Sequence, residues 1–329
     1  MSSAFDAKAG AAEAGAAADR IVGASPAARR LRARVKAAAR DDLPVWIAGP
    51  PGSDAEQVAQ AIHRQSPRGG HALAVLDCAA VPAPLLGRAL LGCARGFYPA
   101  LPEAHSGALR RAGGGALLIA SARALPPELR EALLGALETG RFRSEGGAEQ
   151  PLSARLMLAT AEGGEGGAAE SGGGARGESP LGQHPHHKLR IAPLDQRRPD
   201  IALLAAEELR RLAEQAGERG PAIRLTADAR AALETELWPG DMAELRARIR
   251  AALPLCDGPT LDAEALLLAT PSPPSFKQAK RAFEARYARA LLRRCRGNIS
   301  RAARLAGKDR KDFYEVLRRS GVHPGDFRR

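Results

Sequence analysis

Cysteine is scarce in this chain of 329 residues, and its four copies lie far apart, at Cys78, Cys93, Cys256 and Cys295. Their spacing matches neither a zinc-ligand pair nor a disulfide framework, which argues against both kinds of site. Long apolar runs are also missing, as is a basic start followed by an apolar segment, so no membrane span or secretory signal is predicted. We therefore expect a cytoplasmic protein that does not contact a membrane.

Net charge is also missing from most of the chain. There are 49 Lys and Arg against 37 Asp and Glu, a formal net charge of +12. Residues 275–329 hold 17 of the basic and 5 of the acidic residues, so this segment carries the whole surplus. Such a focus is typical of a module that binds nucleic acid, because Lys and Arg displace the counterions of phosphates. A solvated basic tail is the alternative.

Apolar runs alternate with helical patterns in the first half of the chain. The runs cover residues 43–48, 73–76, 116–119 and 155–159, and the helical patterns cover 26–39, 55–64 and 127–139. Strands that alternate with helices predict an α/β unit with a parallel sheet covered on both faces. Further helical patterns, at 200–215, 226–236 and 242–253, predict a small all-helical subdomain.

Composition shifts divide the chain further. Residues 1–20 are rich in Ala and Gly without an apolar face, which predicts disorder, and the Gly-rich residues 163–187 predict a flexible insertion. The insertion holds His184, His186 and His187, but without a fixed scaffold we expect no metal site there. The predicted domains are 1–20, disordered; 21–195, α/β with the insertion; 196–268, helical; 269–275, a Pro-rich linker; and 276–329, a helical DNA-binding domain.

The predicted strand VWIAG runs into a Gly-rich turn and a helix, which is the setting of a phosphate-binding loop. A working loop, G-x-x-x-x-G-K-[ST], needs glycine around the phosphates, lysine at the terminal ones and a hydroxyl for magnesium. Gly49 and Gly52 are present, but the second glycine position is Asp54, the lysine position is Ala55 and the next is Glu56. A lost lysine and a gained carboxylate both oppose nucleotide binding.

From Ile21 to its C-terminus the chain resembles the sigma-54-dependent enhancer-binding proteins, a branch of the AAA+ ATPases. The segments that carry the resemblance are IVGASPAARRLRARV, PVWIAGPPGSDAEQVAQAIHRQSPR, LDCAAVP, LLGCARGFYPA, GGALLIASARALP, RLMLAT, PLDQRRPDI and WPGDMAEL. The resemblance implies a AAA+ P-loop-like parallel sheet with helices on both faces, a small helical lid subdomain, and a C-terminal all-helical helix-turn-helix domain. We expect no receiver domain in the chain.

The resemblance also indicates which catalytic groups are missing. The family's acidic pair, which holds magnesium and activates water, falls on Ala120 and Ser121, and its sensor arginine falls on Ala243. Thr160, in the first sensor position, has lost its polar companion, and the arginine fingers fall in the Gly-rich insertion. We therefore predict no ATP hydrolysis and no cofactor, with ATP binding not expected, and a AAA+ unit that serves as a scaffold or oligomerisation platform.

The surface loop with which the family touches sigma-54, GAFTGA, corresponds to GFYPA at residues 96–100. This loop is one residue shorter and lacks the threonine. The change argues against a normal contact with sigma-54 RNA polymerase.

The last fifty residues predict three helices. The first helix has an apolar stripe suited to dimer packing, made of Phe276, Ala279, Phe283, Tyr287, Leu291 and Leu292. The second, 300–306, follows possible caps at Asn298 and Ser300, and its inward residues are predicted to be Ala302, Ala303 and Leu305. Gly307 forms the turn, and Asp309 caps a third helix, 310–319, whose predicted buried residues are Phe313, Val316 and Leu317.

A small residue at Ala303 and a glycine at Gly307 suit the crossing and the turn of a helix-turn-helix. The segment resembles the Fis-type domain that ends most members of the family, above all in GNISRAARLAG. The resemblance implies a third helix in the major groove and nearby phosphate contacts. The predicted DNA-binding residues are Arg301, Arg304, Lys308, Arg310, Lys311, Tyr314, Arg318 and Arg319. Asp312 and Glu315 place acid on the reading helix, which favours a modest affinity.

Together these features predict a sequence-specific regulator of transcription that binds double-stranded DNA. We expect a homodimer, with mixed oligomers with intact relatives as a further state. Two other functions stay open: an active ATP-dependent sigma-54 transcriptional activator, and a protein-interaction scaffold with a vestigial DNA-binding end.

Overall fold

A computed structural model of the protein describes residues 21–98, 103–162, 179–216, 223–256, 258–270 and 276–327. The strands, in chain order, are β1 (Val45–Gly49), β2 (Leu73–Asp77), β3 (Gly92–Cys93), β4 (His105–Ser106), β5 (Ala116–Ala120), β6 (Arg141–Arg143), β7 (Glu149–Pro151), β8 (Arg155–Ala161), β9 (His187–Arg190), β10 (Arg224–Leu225) and β11 (Thr260–Leu261). The helices are α1 (Pro26–Ala38), α2 (Ala55–Gln65), α3 (Leu86–Leu91), α4 (Ala108–Ala112), α5 (Pro127–Thr139), α6 (Arg198–Gln215), α7 (Ala227–Thr235), α8 (Asp241–Ala252), α9 (Ala263–Leu268), α10 (Phe276–Arg294), α11 (Ile299–Leu305) and α12 (Arg310–Ser320).

Five strands form a parallel sheet in the order β2-β5-β8-β1-β9. The inner strands β1, β5 and β8 are almost wholly buried, which fits their near-continuous apolar sequences because parallel sheets are covered on both faces. On one face α1 and α2 contribute Val35 and Ile62 to a core with Ile47. On the other, α3 and α4 pack Leu90 and Leu109 against Trp46 and its neighbours. The predicted α/β unit is confirmed.

Helices α6 to α9 form a separate helical subdomain, the lid, with its own apolar core. Leu233, Trp238, Leu245 and Ile249 are buried together in that core. Side-chain caps fix two of its helix starts: Thr226 accepts a hydrogen bond from the Ala229 amide, and Asp262 from that of Ala265. The small helical subdomain is confirmed as well.

The C-terminal helices α10, α11 and α12 enclose a core that includes Leu292, Ala302 and Phe313. Asn298 and Asp309 cap α11 and α12 as predicted, accepting from the Arg301 and Asp312 amides. Ser300 lies inside α11 and does not cap it.

Two further sequence predictions are wrong in their detail. Leu305 does not face inward but is 47% exposed, because Ile299, six residues earlier, joins Ala302 and Ala303 on the buried face and leaves Leu305 off it. The flexible insertion does not extend to residue 187: Leu181 is buried in the sheet's core, and His187 begins β9, which pairs with β1. Residues 163–178 of the insertion lie outside the described residues.

No helix within the described ranges is long and apolar enough to cross a membrane.

Candidate functional site

The phosphate-loop position lies where β1 ends and α2 begins, as the sequence predicts. Ala55 is the first residue of α2, so no ammonium group lies there, and the Glu56 side chain is exposed. The loop also has few free backbone donors: Pro50 and Pro51 have no amide hydrogen, and the Ser53 amide donates to the Pro50 carbonyl at 3.1 Å. A phosphate loop holds its ligand largely through backbone amides, so this loop offers few of the donors that phosphates require.

Asp54 faces the lid. Its carboxylate does not cap α2, although the residue stands at the N-cap position. Instead, Oδ1 lies 2.5 Å from Nη1 of Arg246 on α8. Burial raises the pKa of the Asp54 carboxyl, while the nearby Arg246 and Arg197 oppose that rise. Asp54, which stands where a phosphate loop needs its second glycine, thus forms an internal ion pair with Arg246.

Gly52 brings the loop into backbone contact with the lid. It has a positive φ of 78°, and a Cβ on it would lie 2.3 Å from the Gly240 carbonyl oxygen. Its own carbonyl accepts a 3.0 Å hydrogen bond from the amide of Ala243, the residue on which the family's sensor arginine is predicted to fall. The sensor position therefore contacts the loop through its backbone.

A cluster of arginines surrounds Glu208 on α6, directly behind this contact. Glu208 is 3% exposed and lies 3.2 Å from Arg246, 2.6 Å from Arg211 and 3.4 Å from Arg250. Arg246 therefore bridges two carboxylates, one on the phosphate loop and one in the lid. The sequence reading missed this role of Arg246; its signal was an arginine one helical turn after Ala243.

A second contact joins the lid to the start of the described chain. Asp200, fully buried at the first turn of α6, accepts hydrogen bonds from the amides of Ala24 and Ser25 and from the Ser25 hydroxyl. Between the two contacts lies a narrow cleft lined by Ile21, Val22, Asp54, Arg197 and Leu204 among others. The lid is thus fixed to the α/β unit on both sides of this cleft.

The predicted acidic-pair position at the end of β5 carries no carboxylate. Ala120 ends β5, and Ser121 follows in a left-handed conformation with φ 51°. Thr160, at the first sensor position in β8, is buried, and its hydroxyl accepts a 2.8 Å hydrogen bond from Nε1 of Trp46. The Lys188 ammonium lies 4.1 Å from the Trp46 ring centroid. The one polar side chain kept at this position is committed to the protein core.

The shortened surface loop is only partly within the described residues, which stop at Tyr98 and resume at residue 103. Phe97 is about half exposed and makes an edge-on contact with Tyr98, with ring centroids 5.1 Å apart. The Tyr98 hydroxyl donates to Glu145 at 2.7 Å, and this hydrogen bond raises the pKa of Tyr98 to about 12. The two aromatic residues are thereby tied to the β6–β7 hairpin.

The C-terminal helices have the geometry of a helix-turn-helix. Ala303 is buried where α11 meets α12, and Gly307 adopts a left-handed conformation with φ 62° in the turn. The Lys308 amide closes that turn by donating to the Ala303 carbonyl at 3.0 Å. The small residue and the glycine occupy the positions predicted for them.

All eight predicted DNA-binding side chains are exposed. They are Arg301, Arg304, Lys308, Arg310, Lys311, Tyr314, Arg318 and Arg319. One of the cations is already paired: Arg319 Nη2 lies 2.7 Å from Glu284 Oε1 on α10. The predicted acidic residues, Asp312 and Glu315, are exposed on α12 beside the basic ones.

The apolar stripe of α10 divides between core and surface. Leu291 and Leu292 are buried, whereas Phe283 is 56% and Tyr287 43% exposed. The two exposed rings stack, with centroids 5.9 Å apart and an interplanar angle of 12°. The side chains of Phe276 and Ala279 lie outside the described residues. The stripe thus leaves an aromatic pair on the surface of the C-terminal helical unit.

Among the described residues, no group of three or more His, Cys, Asp or Glu side chains is placed to hold a metal ion. His186 contacts the Ser179 hydroxyl at 3.0 Å, and His187 contacts the Asp41 carboxylate at 2.9 Å.

Comparison with known proteins decides the family. The sigma-54 interaction domain matches residues 21–168, and the AAA+ ATPase lid domain matches residues 195–282. The transcriptional regulatory protein GlrR of Escherichia coli (strain K12) is 32% identical over 319 residues, which cover 94% of this chain and 69% of GlrR. The chain belongs to the sigma-54-dependent enhancer-binding protein family.

The matches with other members of the family cover different shares of the two chains. The response regulator protein PilR of Pseudomonas aeruginosa is 34% identical over 252 residues, 76% of this chain and 56% of PilR. A crystal structure of NtrX from Brucella abortus in complex with ADP has a TM-score of 0.63 and 28% identity, covering 93% of this chain and 70% of that one. NtrX in complex with ATP gives a TM-score of 0.59 at the same identity, covering 92% and 69%. This member of the enhancer-binding family therefore shares a fold with relatives crystallised with nucleotide.

Proposed function

We propose that this chain is a sequence-specific DNA-binding regulator of transcription whose AAA+ unit no longer hydrolyses ATP. The observation that carries the proposal is the filled phosphate-loop position. Ala55 stands where a lysine is needed, and Asp54 is held by Arg246 of the lid. In this proposal the AAA+ unit is a folded platform for the C-terminal helices.

The fold by itself does not explain a loss of ATPase activity, because NtrX of Brucella abortus, with a similar fold, was crystallised with ADP and with ATP. The difference lies in individual residues. Phosphoryl transfer depends almost entirely on positioning and charge stabilisation, which a lysine, magnesium-holding carboxylates and arginines provide. Ala55, Ala120, Ser121 and Ala243 supply none of these charges. Because several charged groups are missing at once, we infer that the whole unit is inactive and not that one catalytic step is altered.

DNA binding is supported by charge, capping and exposure in one unit. Residues 275–329 carry the whole net surplus of +12, and the cations of α11 and α12 are exposed. In a helix-turn-helix, the second helix enters the major groove with its N-terminal residues against the bases. We assign that role to Arg310, Lys311 and Tyr314, and phosphate contacts to Arg301, Arg304 and their neighbours.

We further propose that the DNA-binding unit pairs as a homodimer on an inverted repeat. Phe283 and Tyr287 are the exposed aromatic pair of α10, and a second copy of that helix is the partner that would bury them. In this proposal the chain has three alternative modes of action: repression, competition for enhancer sites, or the formation of inactive mixed assemblies with intact relatives. The shorter loop at Phe97 and Tyr98 favours a weakened contact with sigma-54.

Titration with a fluorescent ATP analogue tests the loss of nucleotide chemistry. We expect no saturable binding and no phosphate release in the presence of magnesium. NtrX of Brucella abortus is the positive control, because it was crystallised with ATP. Micromolar binding or turnover by this chain would instead support the active ATP-dependent activator.

A gel-shift assay with the full-length chain tests the DNA-binding end against the scaffold alternative. Reversing two exposed charges at the start of α12, in Arg310→Glu/Lys311→Glu, is expected to abolish the shift. The control is Arg230→Glu, a charge reversal at an exposed position in the lid. A scaffold with a vestigial DNA-binding end predicts that neither change, nor deletion of residues 275–329, alters retention of DNA.

A further inference from the structure

One arginine side chain connects the lid to the phosphate loop. Arg246 lies on α8, with Nη1 2.5 Å from Asp54 Oδ1 at the start of α2 and Nε 3.2 Å from Glu208 Oε2 on α6. A single guanidinium thus holds one carboxylate of the α/β unit and one of the lid. Removing it breaks the only salt bridge between Asp54 and the lid that the described residues show.

These charges are shielded from solvent. The side chains of Asp54, Arg246 and Glu208 are 11%, 22% and 3% exposed. Salt and water screen such pairs much less than surface pairs, and removing one partner leaves the other as a buried, uncompensated charge. The loss of Arg246 should therefore favour an arrangement in which the Asp54 carboxylate reaches water, which requires the lid to move away. The loss of Asp54 leaves Arg246 paired with Glu208 but removes its tie to the phosphate loop.

A backbone contact next to the ion pair reports whether the lid is closed. The Ala243 amide donates to the Gly52 carbonyl at 3.0 Å. Ala243 lies in the first turn of α8, where amides have no acceptor within the helix. Its protection from hydrogen exchange thus depends on contact with the phosphate loop.

We propose that Arg246 is an intramolecular latch, which holds the lid closed on the phosphate loop in the absence of any nucleotide. The inference deepens the proposed function and rests on it. If the protein's own side chain holds the lid closed, no nucleotide is needed to close it. Asp54 is the receiving group of the latch, and Glu208 positions the Arg246 guanidinium from the lid side.

Hydrogen exchange of the Ala243 amide, followed by mass spectrometry on the full-length chain, tests the latch. Arg246→Met and Asp54→Ala should each speed exchange at Ala243 by roughly tenfold or more. Asp54→Ala is the second variant in case Arg246→Met fails to fold, because the Asp54 side chain caps no helix. The double variant should exchange no faster than the faster single variant, since both remove the same link.

Arg250→Met is the matched control. Arg250 lies one turn further along α8 and also pairs with Glu208, at 3.4 Å, but it is half exposed and has no contact with Asp54. The Ala243 amide of Arg250→Met should exchange at the same rate as that of the wild type. Equal exchange in Arg246→Met, Asp54→Ala and the wild type would overturn the latch. If adding magnesium-ATP slows exchange of the Ala243 amide in the wild type, the proposed loss of nucleotide binding is overturned. The comparison of the variants with the wild type still tests the latch separately.

Discussion

The indole Nε1 of Trp46 donates a 2.8 Å hydrogen bond to the hydroxyl oxygen of Thr160, and both residues are buried. Thr160 stands where the resemblance to the family predicts the first sensor residue. In this chain its hydroxyl instead satisfies the one polar atom of a tryptophan within the sheet's core. The hydroxyl at the predicted sensor position thus takes part in the packing of the core.

Thr160→Val should destabilise the α/β unit by about 1–3 kcal/mol, because it leaves a buried indole N–H without an acceptor. Urea unfolding followed by tryptophan fluorescence measures this change. The control is Thr235→Val, which alters an exposed threonine whose hydroxyl bonds only to carbonyls of its own helix, α7. An unchanged free energy of unfolding for Thr160→Val would show that the bond contributes nothing.

The Asp54 pair predicts a pH dependence of stability. Burial raises the pKa of Asp54, and Arg246 opposes the rise, so Arg246→Met should raise it further. A carboxyl whose pKa is higher in the folded state than its usual 3.8 makes folding less favourable as pH rises above that value. The stability deficit of Arg246→Met relative to the wild type should therefore be larger at pH 7 than at pH 4.5. Urea unfolding at the two pH values measures it, and a deficit that shrinks as pH rises contradicts the account.

The sequence predicts some structural elements more accurately than others. Continuous apolar strands and capped helices carry their own signals, so β1, β5, β8 and α12 were predictable to within a residue or two. The strand β9 was not predictable, because its segment is polar and rich in His and forms a strand only by pairing with β1. Likewise, motif positions reveal that Ala55 and Ala243 lack charge. They do not reveal that Arg246 contacts Asp54, because that contact joins residues nearly two hundred positions apart.

Arg301 and Arg319 should contribute differently to DNA binding. Arg319 is paired with Glu284, whereas no described acidic side chain forms an ion pair with Arg301. Arg301→Ala should reduce the slope of log affinity against log salt by about one, as expected for a lost phosphate contact. Arg319→Ala should reduce that slope less, since its charge is partly neutralised already. Fluorescence anisotropy over a salt series measures both, and equal slopes would contradict this assignment.

Two glycines should respond oppositely to alanine. Gly307 has a φ of 62° in the helix-turn-helix, so Gly307→Ala should destabilise the C-terminal unit by about 1 kcal/mol or more. Gly135 lies within α5 with nothing near the position of a Cβ, so Gly135→Ala should stabilise the α/β unit by roughly 0.5–1 kcal/mol. Thermal unfolding of the two variants measures the opposite signs. Changes of the same sign would contradict the turn geometry.

The most direct test of the central claim is the affinity of the full-length chain for labelled double-stranded DNA, measured by anisotropy with and without magnesium-ATP. The account predicts binding that weakens steeply with salt, because basic side chains displace phosphate counterions, and that is the same with and without nucleotide. Absence of salt-dependent binding, or an affinity that changes when magnesium-ATP is added, would contradict it.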